Sequence, residues 1–197
     1  MKRVFITQRV EWIEPIRERR DALSQEWAAL AEACRFLPLL LPNRLETVRC
    51  MAEELPPDGI LLTGGNDLAA YGGDAPDRDE AEEFLIGLAM ERKIPLLAVC
   101  RGAQMLLHRF GTPLEKIEGH VRTEHPLSNG DKVNSFHNWG ALDCRPPLEA
   151  LARSGDGVVE AVRHRDCPWI QGVMWHPERY HPFRERDITW IKEALAL

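Results

Sequence analysis

The stretch LLAVCRGAQML, Leu96 to Leu106, passes from one kind of structure to another within a few residues. Leu96–Val99 is a short continuous apolar run, the pattern of a strand buried on both faces. From Gly102 to Phe110 the apolar residues recur at helical spacing. Cys100 sits at the junction. A strand-to-helix turn this tight needs small neighbours, and Ala98 and Gly102 supply them. A side chain on such an elbow is presented at the edge of a sheet, beside a helix amino terminus whose dipole favours a thiolate. The competing reading is a cysteine that closes a buried strand as a small core residue. The stretch alone does not separate the two.

Outward from the elbow, the same alternation repeats. Upstream, Val4–Ile6, Phe36–Leu41 and Gly59–Leu62 read as apolar strands. They alternate with helices over Glu18–Cys34, Leu45–Leu55 and Asp79–Arg92, and Pro95–Val99 forms the fourth strand. Near-continuous apolar strands alternating with helices predict a mostly parallel, doubly wound α/β sheet with helices on both faces. Downstream, Leu114–Ile117, Val133–Phe136, Val158–Val162 and Ile170–Trp175 are shorter, loop-joined strands, read as partly antiparallel, before a closing helix at Ile188–Leu197. Trp169 and Trp175 are read as core. No repeat or linker interrupts the chain, so residues 1–197 are expected to form one domain.

Composition narrows the function. A net charge of −6 argues against a nucleic-acid partner but leaves room for a small anion held by local arginines. No apolar run approaches a membrane span, and the start MKRVFITQRV lacks the apolar core of a leader, so a cytoplasmic protein without membrane partners is expected. The five cysteines are odd in number, irregularly spaced and without a CxxC, which suits reduced thiols. His120 and His125 have no carboxylate or cysteine at ligand spacing, so no metal and no cofactor are expected. Arg17, Arg19 and Arg20 read as a solvated helix start.

In an open α/β sheet, ligands collect at the carboxyl ends of the strands. Three of these ends carry chemistry: Gln8-Arg9, Gly64-Gly65-Asn66-Asp67 and Cys100. A thiolate nucleophile needs a base, and the base needs an orienting acceptor. His176 ends the last apolar strand, Pro177 fixes the turn after it, and Glu178 can swing back to the imidazole. The Arg101 amide, next after the nucleophile, is placed to stabilise an oxyanion. Arg9 reads equally as a surface charge or a phosphate contact. Gln104, one turn into the elbow helix, is within reach of a ligand at Cys100.

The elbow Cys100-Arg101-Gly102-Ala103-Gln104, the late Trp175-His176-Pro177-Glu178 and the pair Gly64-Gly65 together resemble the class I glutamine amidotransferase-like superfamily across the whole chain. One departure is Ala98, where the family has glycine. The resemblance implies a flavodoxin-like fold and a Cys100–His176–Glu178 triad that cleaves γ-glutamyl amides of small molecules. It also implies Gly65 as the second oxyanion donor. The loop from Gly64 to Gly72, with Asp77-Arg78-Asp79 and a following helix acid, resembles the free-standing γ-glutamyl hydrolase branch. Asn134, Ser135, Phe136 and His137 match the segment that holds the glutamyl group in that branch. Arg9 with Asn66 and Asp67 is assigned to the leaving group. Finer matches, such as Ile117–Val121, point to a cytidine diphosphoramidate leaving group made in capsule polysaccharide modification. The competing expectations are a glutaminase subunit feeding ammonia to a partner synthetase and a non-catalytic redox or chaperone-like protein. A homodimer is left open.

Overall fold

The computed structural model describes residues 1–197. In chain order the elements are β1 (Arg3–Ile6), β2 (Arg9–Ile13), β3 (Glu18–Ala22), α1 (Glu26–Cys34), β4 (Leu37–Leu40), α2 (Leu45–Glu54), β5 (Gly59–Leu62), α3 (Pro76–Arg92) and β6 (Leu96–Val99). They continue with α4 (Arg101–Arg109), β7 (Glu115–Lys116), β8 (Val121–Pro126), β9 (Lys132–Phe136), β10 (Trp139–Gly140), β11 (Leu148–Arg153), β12 (Val159–His164), β13 (Ile170–Val173) and α5 (Glu185–Ala194). No helix is long and apolar enough to cross a membrane.

Seven strands form one sheet in the order β11-β12-β13-β6-β5-β1-β4. The five from β13 to β4 are parallel, and β12 and β11 extend the sheet antiparallel. This is the flavodoxin-like α/β arrangement with antiparallel additions in the C-terminal half. Strand periodicity explains the two helix layers. Phe5, Ile60, Leu62, Leu96 and Ala98 face one core with α2, α3 and α4. Val4, Ile6, Leu61, Leu97 and Val99 face the other with α1 and α5. The strand order reverses around β1, whose neighbours are β4 and β5, so a crevice opens at the carboxyl ends of β1, β5 and β6.

Several local expectations are corrected. The helix expected from Glu18 begins only at Glu26; β2 and β3 instead form an antiparallel hairpin. Its arginines are turn and strand residues: Arg17 turns the chain in the left-handed region, Arg19 pairs with Asp77 at 2.8 Å and Arg20 with Glu18 at 2.6 Å. The hairpin is largely exposed, so no apolar alternation marks it. The strands β8, β10 and β11 had no sequence counterpart, β13 ends at Val173 rather than Trp175, and α5 begins three residues early, at Glu185.

Candidate active site

Cys100 adopts φ 53° and ψ −107°, a left-handed backbone that only an over-determined turn imposes on a residue with a side chain. Its own N–H donates to the Val173 carbonyl at 2.7 Å and its carbonyl receives the Gln104 N–H at 3.0 Å, so strand pairing and helix start hold it from both sides. Gly102 makes the turn possible. A Cβ there would stand 2.6 Å from the Leu62 carbonyl oxygen, so any side chain would push α4 off β5. Among the other thiols, burial pushes Cys34 and Cys144 up to about 11, leaving them protonated.

His176 and Glu178 meet as the sequence predicts. His176 Nδ1 lies 2.6 Å from Glu178 Oε1, both side chains being 4% exposed. The backbone of His176 is fixed by the Asn134 amide: the His176 N–H donates to Asn134 Oδ1 at 2.8 Å, and Asn134 Nδ2 donates to the His176 carbonyl at 2.9 Å. Burial disfavours the imidazolium, but the neighbouring Cys100 and the Glu178 carboxylate outweigh it and raise the His176 pKa to about 10. Nε2 makes no hydrogen bond of ordinary geometry. A Cβ on Gly64 would lie 2.9 Å from His176 Cε1 and 3.4 Å from Cys100 Cβ, so both side chains flank this glycine. A poised thiol, a protonated imidazole and an orienting carboxylate can together carry out nucleophilic attack and proton transfer to a leaving group.

The glycine loop after β5 is held from beneath. Gly65 takes φ +90°. Buried Arg78 on α3 donates to the carbonyls of Thr63 at 2.7 Å and Gly65 at 2.6 Å and pairs with Glu82 at 2.8 Å. Glu82 also takes the guanidinium of Arg101, which in turn reaches Asp79. Burial pushes Glu82 up, but Arg101 and Arg78 outweigh it and keep its carboxyl below the usual range. Carbonyls thus turn toward Arg78, while the backbone N–H of Gly65 donates to no backbone acceptor. In the sequence this network is visible only as a run of charges, Asp77-Arg78-Asp79 with a later acid.

Around Cys100 lies a cavity of about 330 Å³, bordered by Asn66, Asp67, Gln104, Phe136, His137 and Asn138. Several of the expected contacts are engaged elsewhere. Asn66 clasps the hairpin, with Oδ1 accepting the Val10 N–H at 2.8 Å and Nδ2 donating to the Val10 carbonyl at 2.9 Å. Ser135 is fully buried, and its hydroxyl donates to the His120 carbonyl at 2.7 Å. The His137 ring turns to the Trp139 carbonyl at 3.1 Å. Gln104 donates to the Trp139 carbonyl at 3.0 Å. Phe136 packs edge-on to His176, ring centroids 5.5 Å apart. Arg9 pairs with Glu11 at 2.9 Å and borders a second, smaller crevice with Gly64, Gly65, His176, Glu178 and Arg179. Arg179, unremarked in the sequence, stacks on the Phe136 ring at 4.2 Å.

The Peptidase C26 family model matches residues 8–126 and 112–178. The chain is 34% identical over 203 residues to the gamma-glutamyl-CDP-amidate hydrolase of Campylobacter jejuni subsp. jejuni serotype O:2, with 98% of each chain covered. It is 33% identical over 184 residues to the gamma-glutamyl-gamma-aminobutyrate hydrolase PuuD of Escherichia coli K12, with 72% of each covered. Among solved structures it is similar to a Thermoplasma acidophilum protein described as one component of a GMP synthase. The TM-score is 0.75, with 16% identity, 100% of this chain and 93% of that one covered, a likeness of fold.

Proposed function

Since the chain belongs to the Peptidase C26 family, we propose that it is a cysteine-dependent γ-glutamyl hydrolase. The observation that carries this reading is the left-handed elbow at Cys100, set beside His176, whose Nδ1 lies 2.6 Å from Glu178. In the proposed reaction the Cys100 thiolate attacks the γ-carbonyl carbon and a C–S bond forms. The amides of Gly65 and Arg101 receive the developing oxyanion. His176 gives its proton to the leaving nitrogen as the C–N bond breaks, leaving a γ-glutamyl thioester. His176 then takes a proton from water, the resulting hydroxide attacks the thioester, and glutamate leaves as the C–S bond breaks. Glu178 orients the imidazole and supports its charge without attacking.

The roughly 330 Å³ cavity suits the glutamyl group. Asp67, which the sequence assigned to the leaving group, borders this cavity instead, and with Gln104 and the 136–138 backbone it offers polar contacts. We assign the leaving group to the side of Arg9 and Arg179, which border the His176–Glu178 pair. Two guanidiniums in a protein of net charge −6 suit a phosphorylated leaving group. Near-full-length similarity to a gamma-glutamyl-CDP-amidate hydrolase favours the same substrate, with cytidine diphosphoramidate and glutamate as products. The test is glutamate release from a panel containing γ-glutamyl-CDP-amidate, γ-glutamyl-γ-aminobutyrate and glutamine. Turnover of the first should fall about tenfold to a hundredfold in Arg9→Ala, with glutamine, whose leaving group is uncharged, spared. Equal losses on all three would remove the phosphate assignment, and no release from any would overturn the activity itself.

A further inference from the structure

Behind the wall that carries Phe136, three imidazoles from separate stretches of sequence meet on one carboxylate. His120 Nδ1 lies 3.2 Å from Glu160 Oε1, His125 Nε2 lies 3.2 Å from it and His137 Nε2 lies 3.3 Å from it. Glu160 on β12 is fully buried, and His120 and His137 are nearly so. None of these three approaches has the geometry of an N–H···O hydrogen bond, and both Glu160 oxygens are left without a hydrogen-bond partner. A buried carboxylate facing three ring nitrogens with no hydrogen bond formed is a costly arrangement unless something else joins them.

The outer nitrogens decide what the inner ones can offer. His137 Nδ1 lies 3.1 Å from the Trp139 carbonyl, which can only accept, so Nδ1 carries the proton. His120 Nε2 lies 3.0 Å from Asp156 Oδ2. The Ser154 hydroxyl donates to the other oxygen of Asp156 at 2.5 Å, so Asp156 stands as an acceptor toward His120 as well. In the neutral form that a metal requires, the inner nitrogen of each ring is then a lone pair aimed at the Glu160 region. Imidazoles whose second nitrogen is held by a carboxylate or a carbonyl are the usual outer support of metal-binding histidines. The donor atoms of His120, His137 and Glu160 also lie within 4.8 Å of one another, and the nitrogen–oxygen separations at Glu160 are those of ligands on one ion. Four bonds of roughly 2.0–2.1 Å in a tetrahedron give ligand–ligand distances of about 3.3–3.4 Å.

We propose that His120, His137 and Glu160 bind one divalent transition-metal cation, with His125 beside the same carboxylate. Two imidazoles and a carboxylate, with a fourth position open to water, match Zn²⁺ rather than Mg²⁺ or Ca²⁺, which prefer all-oxygen shells. Such an ion is structural. It would tie β8 and β9 to the sheet strand β12, immediately behind the candidate active site. The Met174 N–H, two residues before His176, donates to the Glu160 carbonyl at 2.8 Å, and His137 directly follows Phe136. The expectation of no metal rested on the absence of a carboxylate near His120 and His125 in sequence; the fold supplies it from β12.

The full chain, purified without a histidine tag, should contain a single zinc by inductively coupled plasma mass spectrometry. Stripping it with a chelator should lower Tm by about 5–10 °C for a domain of this size, and one equivalent of Zn²⁺ should restore it. Cobalt in its place should show the visible absorption of a four-coordinate ion. Zinc uptake should be lost in Glu160→Gln and His137→Gln and retained in Cys50→Ser. A wild-type chain that carries no transition metal and cannot hold added Zn²⁺ against a chromogenic chelator would overturn the site, whether or not the variants fold. So would uptake undiminished in folded Glu160→Gln.

Discussion

Two buried carboxylates support the two sides of the candidate active site, and they are satisfied in opposite ways. Glu82, beneath the glycine loop and the elbow, meets the guanidiniums of Arg78 and Arg101 in formed ion pairs. Glu160, behind the Phe136 wall, meets three imidazoles and forms no hydrogen bond with any. The first pair of partners is permanently charged and forked, so it locks a loop without further help. The second set takes its charge from whatever binds it. The elbow side is thus self-sufficient, while the histidine side requires protons or a cation to be complete.

The largest effect should come from the residues that these scaffolds position. His176→Ala should lower kcat about 10⁴-fold or more while the fold persists, because attack and leaving-group protonation both pass through that imidazole. Glu178→Gln should lose somewhat less. Its pH profile is the sharper readout. The raised pKa of His176 places the loss of its proton, and the alkaline fall of kcat/KM, near pH 10. In Glu178→Gln that limb should move to lower pH, because a neutral amide no longer supports the imidazolium. An unchanged limb would remove Glu178 from this role.

Next in size is the elbow scaffold. Arg78→Ala leaves Glu82 with one partner fewer and frees the Thr63 and Gly65 carbonyls, and should cost about 3–5 kcal/mol by denaturant unfolding. A loss below about 1 kcal/mol would mean that the loop does not depend on the pair. On the other side, Ser135→Ala removes one buried hydrogen bond to the His120 carbonyl. It should cost about 1–2 kcal/mol and leave KM for the γ-glutamyl substrate unchanged. A large rise in KM with stability intact would return Ser135 to the substrate. The smallest effect has the opposite sign. Cys100→Gly relieves the left-handed backbone at the elbow and should raise Tm by about 2–4 °C, although activity is lost.

The parallel half was largely legible because its strands are short apolar runs between helices, and LLAVCRGAQML carries both halves of the elbow in one stretch. Cys100, His176 and Glu178 could be paired on paper because each sits at a strand end with a small or rigid neighbour. The β2–β3 hairpin was not legible. Its residues largely face solvent, so Arg17, Arg19 and Arg20 looked like a helix start. The histidine cluster was hidden for a different reason. Its members lie on β8, beside β8 and β9, and on β12, and only strand pairing brings Glu160, a lone acid in an apolar run, to His120. The side chains of Asn66, Asn134 and Ser135, read from the sequence as substrate contacts, hold backbone instead, a distinction that residue type alone does not make.

The central claim, that Cys100 is the nucleophile of a γ-glutamyl hydrolase, is tested most directly by intact-mass spectrometry of the chain quenched during turnover of a slow γ-glutamyl amide. The account predicts a population heavier by one glutamyl residue, mapped to Cys100 by peptide sequencing, chased to free glutamate on standing and absent from Cys100→Ala. Near-normal turnover by Cys100→Ala, or an adduct on any other residue, would contradict it.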